Sequence, residues 1–161
     1  MKLVIGLGNP GENYKNNRHN VGQMVVAKLK IQSTRLKDVV IAQTNTFMND
    51  SGKFIESLVN NYHVAASDLF IIHDDLDIVF GSYKIQLGKG PKDHKGLESI
   101  DQALGTSEYW HVRVGVDNRD PENRTLGEEY VLQDFTKEEF LKVDGVVGEA
   151  VRDLCKKLAT S

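Results

Sequence analysis

The sequence predicts an α/β protein: a single-domain three-layer sandwich spanning residues 1–161, with a mixed, mostly parallel sheet and helices on both faces. Three observations lead there. Short apolar runs containing Val and Ile recur along the chain, separated by stretches of helical periodicity. The first run breaks into Gly6, Gly8 and Gly11, as strands do when they deliver polar groups to the rim of a sheet. No repeat, low-complexity tract or linker divides the chain.

The elements follow in order. Residues 2–7 (KLVIGL) read as a buried strand closed by glycine. Asn20 can cap a helix continuing through Val21, Met24, Val25 and Leu29. Residues 39–42 (VVIA) form a second short strand. A helix over 51–62 carries Phe54, Ile55, Leu58, Val59 and Tyr62 as one stripe, with Asn49, Asp50 or Ser51 as its cap. Residues 69–72 (LFII) are a third strand, ending in His73-Asp74-Asp75-Leu76-Asp77. Residues 82–87 alternate in polarity, as an edge strand does. A glycine- and lysine-rich loop, 88–96, precedes a helix with Leu97, Ile100 and Leu104 inward. Residues 110–116 (WHVRVGV) are a fifth strand, and 117–127 a mobile surface loop. Thr136 caps a final helix with Phe140, Val143, Val147, Val151, Leu154 and Leu158 on one face.

Composition limits the function. With 40% hydrophobic residues in 161, the chain can bury a full-sized core. No apolar run approaches the ~20 residues of a membrane span, and no signal peptide is expected. The single cysteine, Cys155, fits a reducing compartment and reads as a buried structural thiol. A net charge of −3 argues against a protein coated in positive charge. The charges are nevertheless segregated. Lys84, Lys89, Lys92 and Lys95 face a single acid, Asp93, within 82–96, while 120–144 holds eight acids against Arg124, Lys137 and Lys142. Two solvated faces would explain this, as would a local phosphate-binding patch on an acidic protein.

Two generic motifs are set aside. Gly6-Leu7-Gly8-Asn9-Pro10-Gly11 matches G-x-G-x-x-G, but residues 12–18 have no helical periodicity and no acid closes a second strand near residue 30. His73-Asp74-Asp75-Leu76-Asp77 could ligate a metal, yet no second ligand cluster accompanies it, and no metal is expected. Alternation along an extended chain puts His73, Asp75 and Asp77 on one side and Asp74 on the other. Asp75 and Asp77 read as solvated acids. Asp74 reads as a carboxylate that orients a histidine. Of His19, His63, His73, His94 and His111, the partner is His19, just after the glycine turn. His63 reads as surface and His111 as structural. Asn9 and Asn49 also fall beyond strand ends, where an amide can donate to a developing oxyanion or hold a backbone carbonyl.

These residues carry a resemblance. Val4-Ile5-Gly6-Leu7-Gly8-Asn9-Pro10-Gly11, Tyr14 and Arg18-His19-Asn20-Val21-Gly22 resemble the N-terminal signature of bacterial-type peptidyl-tRNA hydrolases. Thr46-Phe47-Met48-Asn49 with Ser51-Gly52, His73-Asp74-Asp75-Leu76-Asp77 with Gly81, Leu87-Gly88, His94, Gly96-Leu97 and Arg113-Val114-Gly115 continue the match in order. The resemblance implies cofactor-free hydrolysis of the ester between a peptide and the 3′-terminal ribose of tRNA, by a cytoplasmic monomer. Its partner would be peptidyl-tRNA, held by acceptor stem and 3′ end, with no role for DNA or membrane. It implies His19 as general base, Asp74 as the group orienting it, and Asn9 as a positioning and oxyanion-stabilising group. Tyr14, Phe47, Asn49 and Lys95 would contact substrate. Lys84 and Arg113 would hold tRNA phosphate, joined by Lys89 and Lys92. Two departures stand out. The chain is short between residues 29 and 46, and Lys95 occupies a position where the family has asparagine, in a loop that has lost glycines. A non-catalytic RNA-binding protein of the same fold is the alternative.

Overall fold

The structure is a computed structural model that describes residues 1–160. Five strands, β1 (Lys2–Gly6), β2 (Val39–Gln43), β3 (Leu69–Val79), β4 (Tyr83–Leu87) and β5 (Trp110–Asp117), form one sheet in the order β2-β1-β3-β5-β4. All pairings are parallel except β4 with β5, the antiparallel edge. The helices are α1 (Val21–Gln32), α2 (Ser51–Tyr62), α3 (Lys95–Leu104), α4 (Gly127–Val131) and α5 (Lys137–Ala159). This is the expected single-domain sandwich. No helix among the described residues is long and apolar enough to cross a membrane.

Alternation along the strands sends their side chains into two cores. Val4, Phe70, Ile72, Val112 and Val114 meet α1 and α5 on one face. Leu3, Ile5, Leu69, Ile71 and Tyr109 meet Ile55 of α2 and Leu97 and Ile100 of α3 on the other. Gly6 and Gly22 bring β1, α1 and β3 together. A Cβ on Gly6 would lie 2.4 Å from the Gly22 carbonyl oxygen, and one on Gly22 would lie 2.2 Å from that of Ile72. Gly6 of the first motif thus serves backbone packing, while Gly11, with φ of 106°, serves the turn. Thr136 caps α5, as the sequence predicts, and the structure adds Glu139 to complete a capping box.

Four local expectations are corrected. Strand β3 runs on to Val79, through the polar residues read as lying beyond its end. Its neighbours satisfy those groups, so polarity does not stop the strand. Asn20 does not cap α1 with its side chain. Instead its amide brackets the backbone of Asn9, accepting from Asn9 N and donating to Asn9 O, both at 2.9 Å. Residues 127–131 within the acidic stretch form α4, too short for periodicity to reveal. Cys155 is only partly buried, at the edge of the larger core.

Chain direction explains where a site can form. From β1 the chain passes through α1 to β2 on one side, then through α2 to β3 on the other. This reversal opens a crevice at the C-terminal ends of β1 and β3, the usual ligand position in open α/β sheets. The last β1–β3 pairing is Gly6 with Ile72. Strand β3 continues past it, so His73, Asp74 and Asp75 project beyond the end of β1.

Candidate active site

Asp74 is the centre of the crevice. It is 2% exposed and receives two imidazoles: His19 Nδ1 lies 2.8 Å from Oδ2 and His94 Nε2 lies 2.8 Å from Oδ1. A carboxylate only accepts, so both nitrogens carry hydrogen. For His94 the other nitrogen, Nδ1, accepts from Leu97 N–H at 3.3 Å and so caps α3. For His19 the other nitrogen, Nε2, keeps its lone pair, and the ring lines a cleft of about 1000 Å³. Burial alone would push the Asp74 pKa up. The charges and hydrogen bonds of the two imidazoles outweigh it and hold the carboxyl far below its ordinary range. Burial likewise pulls His19 down, but the Asp74 charge and hydrogen bond prevail, and its pKa is raised above 6.5.

The chain around His19 leaves it little freedom. The preceding segment pairs with residues near α4: Arg18 N–H donates to the Gln133 carbonyl at 3.1 Å, and Phe135 N–H to that of Asn16 at 3.0 Å. The Arg18 side chain is buried and bonded to Glu139 at 2.7 Å and to the Tyr130 carbonyl at 3.1 Å. Its guanidinium lies over the Tyr130 ring, 3.8 Å from the centroid. A buried pair of this kind is costly to break on one side. His19 is therefore anchored from α4 and α5 before the chain turns into α1.

Asn9 stands across the crevice, 7% exposed. Its Oδ1 accepts from Met48 N–H at 2.8 Å, which assigns the amide orientation and leaves the Nδ2 hydrogens for a ligand. Phe47, Asn49 and Lys95 line the same cleft, all exposed. Tyr14 lies behind Phe47, edge to face at 6.0 Å. Lys95 is the first residue of α3 and sits 3.8 Å from Glu98, a loose surface pair. Leu126, Val131 and Leu132 supply an apolar far wall.

On the opposite face of β3 the side chains of His73 and Asp75 turn toward β5. Asp75, read from sequence as a solvated acid, is instead 1% exposed and bonded to Arg113 Nε at 2.7 Å. Gln86 Oε1 accepts from the same guanidinium at 2.8 Å. Lys84, Lys89, Lys92 and Arg113 line one shallow depression beside the cleft, together with Arg124. The loop joins cleft and depression, since Asp77 accepts from Lys92 N–H at 3.0 Å.

Sequence reasoning paired His19 with Asp74 and missed the second imidazole on that carboxylate, His94. Its signal was available: a histidine directly before the helical stripe of α3, in a loop already set aside for substrate. His19, Asp74 and His94 offer one ligand atom each within 4.8 Å, a set that could hold a metal. Both carboxylate oxygens and both nitrogens of His94 are already hydrogen-bonded, so a cation would displace those bonds. The arrangement as it stands suits proton transfer.

An oriented imidazole with a free nitrogen, a buried carboxylate behind it and an amide donor across the cleft define an acid–base site of the hydrolase kind on an α/β sheet. The comparisons narrow the class. A family model described as peptidyl-tRNA hydrolase matches residues 3–161. Peptidyl-tRNA hydrolase from Pseudothermotoga lettingae is 38% identical, covering 94% of this chain and 87% of that protein. The protein of that name from Aliarcobacter butzleri is 36% identical, covering 94% and 88%. The crystal structure of peptidyl-tRNA hydrolase from Acinetobacter baumannii superposes with a TM-score of 0.82 at 26% identity, over 99% of this chain and 88% of that one. A NiFe hydrogenase maturation protease from Thermococcus kodakarensis, at 10% identity and a TM-score of 0.51, shares the fold alone. The chain belongs to the peptidyl-tRNA hydrolase family.

Proposed function

We propose that this protein hydrolyses the ester bond of peptidyl-tRNA, with His19 as general base. The observation that carries the proposal is the 2.8 Å bond from His19 Nδ1 to a buried Asp74, with Nε2 left free at the cleft. A water between His19 Nε2 and the ester carbonyl carbon loses its proton to the imidazole as its oxygen attacks. Asp74 stabilises the imidazolium that forms, which its own depressed pKa allows it to do as an anion. The Asn9 Nδ2 hydrogens stabilise the charge developing on the carbonyl oxygen. The imidazolium then returns the proton to the ribose oxygen as the carbon–oxygen bond breaks. Free peptide carboxylate and tRNA leave.

The remaining assignments belong to the same reading. Asn49 and Lys95 hold the peptide end, with Phe47 forming one wall and Tyr14 backing it. Lys84, Lys89, Lys92 and Arg113 hold backbone phosphate of the acceptor stem, giving affinity and register rather than sequence reading. Asp75 and Gln86 support this role for Arg113 by fixing its guanidinium beside the lysines. The protein acts as a cytoplasmic monomer on its RNA substrate.

The test is incubation with an N-blocked aminoacyl-tRNA, comparing the wild type with His19→Ala. Release of tRNA by the wild type alone is expected. Tight tRNA binding without hydrolysis by the pure wild type would overturn the enzymatic reading in favour of an RNA-binding protein.

A further inference from the structure

Beneath the site lies a second pair of imidazoles that the reaction above does not use. His73 on β3 and His111 on β5 are 0% and 2% exposed, with His73 Nε2 and His111 Nδ1 3.1 Å apart. The tautomers follow from one fact. His73 Nδ1 lies 2.9 Å from the Asp74 carbonyl oxygen, which can only accept. His73 therefore carries its hydrogen on Nδ1, and its Nε2 lone pair accepts from His111 Nδ1–H at 3.1 Å; a neutral His111 then has no hydrogen on Nε2, whose 3.5 Å approach to the Ser107 carbonyl is too long to compete. Burial keeps His73 uncharged, reinforced by the neighbouring His94 and His111. Burial outweighs the raising effect of the Ser107 carbonyl and, with Arg113 and His94 adding to it, lowers His111 to about 4, so both rings are neutral at neutral pH.

Three parts of the site rest on this pair. The His73 bond fixes the peptide plane that follows the Asp74 side chain. The His73 ring meets the His94 ring edge to face at 5.6 Å and so limits where that imidazole can sit. The 88–96 loop lies directly on His111: a Cβ on Gly90 would be 3.1 Å from its Cε1 and Nδ1. His111 is itself stacked on Tyr109 at 4.5 Å, and Tyr109 is tied to Asp101 of α3 by a 2.7 Å hydrogen bond.

We propose that His73 and His111 are positioning residues: a hydrogen-bonded brace that holds the Asp74 carbonyl and the His94 ring in register for His19, and seats the lysine loop above them. Neither touches substrate. The inference rests on the hydrolase reading, because its kinetic readout is turnover.

Two variants test it. His111→Leu removes the donor to His73 Nε2 and leaves that nitrogen buried without a partner. His111→Asn keeps an amide N–H that can reach the place of the imidazole Nδ1. For His111→Leu we expect kcat to fall about tenfold with KM within about twofold, since small misplacements at a site act on the chemical step. His111→Asn should recover most of the loss. Long-range proton–nitrogen NMR of the imidazoles gives a readout independent of turnover. His94 should be a single Nε2–H tautomer in the wild type and in His111→Asn, and a mixture in His111→Leu. An unchanged kcat and an unchanged His94 signal in folded His111→Leu would overturn the brace, as would a His111→Asn as slow as His111→Leu. Absent hydrolysis by the wild type would defeat the hydrolase reading instead, and the NMR comparison would still decide the brace.

Discussion

The two faces of strand β3 make different use of neighbouring carboxylates. Asp74 faces His19 and His94, out of water, in a cluster with no permanent cation. Asp75, one residue on, faces Arg113 beside a shallow, lysine-lined depression. On the first face the geometry of a few short bonds decides whether a proton can move. On the second, charge is spread over exposed lysines, each contributing a little and each screened by salt. On the proposed reading, chemistry and affinity are separable here. Substitutions around Asp74 should act on kcat, and those at the lysines of the depression on KM.

The sharpest test of that separation is His19→Ala. General-base catalysis contributes about 10²–10⁴-fold, and we expect a loss in kcat toward the upper end, with tRNA binding retained. Loss of tRNA binding in parallel would break the comparison. Next is Asp74→Asn, with a kcat loss of about 10²-fold or more and a shifted pH profile. The sign is as follows. His19 must be neutral to accept a proton, and Asp74 raises its pKa above 6.5. Wild-type activity should therefore fall as pH drops through a value above 6.5. With the charge removed, burial remains and lowers the His19 pKa, so the acid limb should move to lower pH. A limb that stays in place would show that Asp74 does not set it.

Asn9→Ala should cost about 10²-fold in kcat, as expected for losing one oxyanion donor, with little change in KM. A rise in KM alone would make Asn9 a binding group only. On the other face, Lys84→Ala should raise KM by about threefold to tenfold and lessen the salt slope of tRNA binding by about one. An equal fall in kcat would show that the depression also orients the ester. The smallest effect is expected from Lys95→Asn. Its surface pair with Glu98 contributes about 1 kcal/mol or less, so stability should hold while turnover rises modestly. Unchanged or slower turnover would mark Lys95 as adapted to this site.

Much of this contrast is legible in the sequence, because period-2 alternation separates Asp74 from His73 and Asp75 without any structure. The pairing of His19 with Asp74 is legible too, since both follow from placing polar residues at one sheet rim. What escapes is what the other face of the strand touches. Asp75 looks solvated until Arg113 arrives from β5, and His94 looks like a loop residue until α3 swings it onto Asp74. Asn20 looks like a helix cap because the rule is local. Its amide instead serves Asn9, eleven residues back and adjacent only after the turn closes.

By itself, the sequence determines the order of the strands and of the longer helices, the cap at Thr136, and which residues can do proton chemistry. These depend on period, backbone sterics and side-chain type, all local properties. Only the tertiary structure decides that one carboxylate serves two imidazoles, that Arg113 is a buried partner of Asp75, and that His73 and His111 meet beneath the site. Those outcomes depend on which strands become neighbours. Strands β3 and β5 are adjacent although α3 and β4 lie between them in the chain, and no window of sequence contains both.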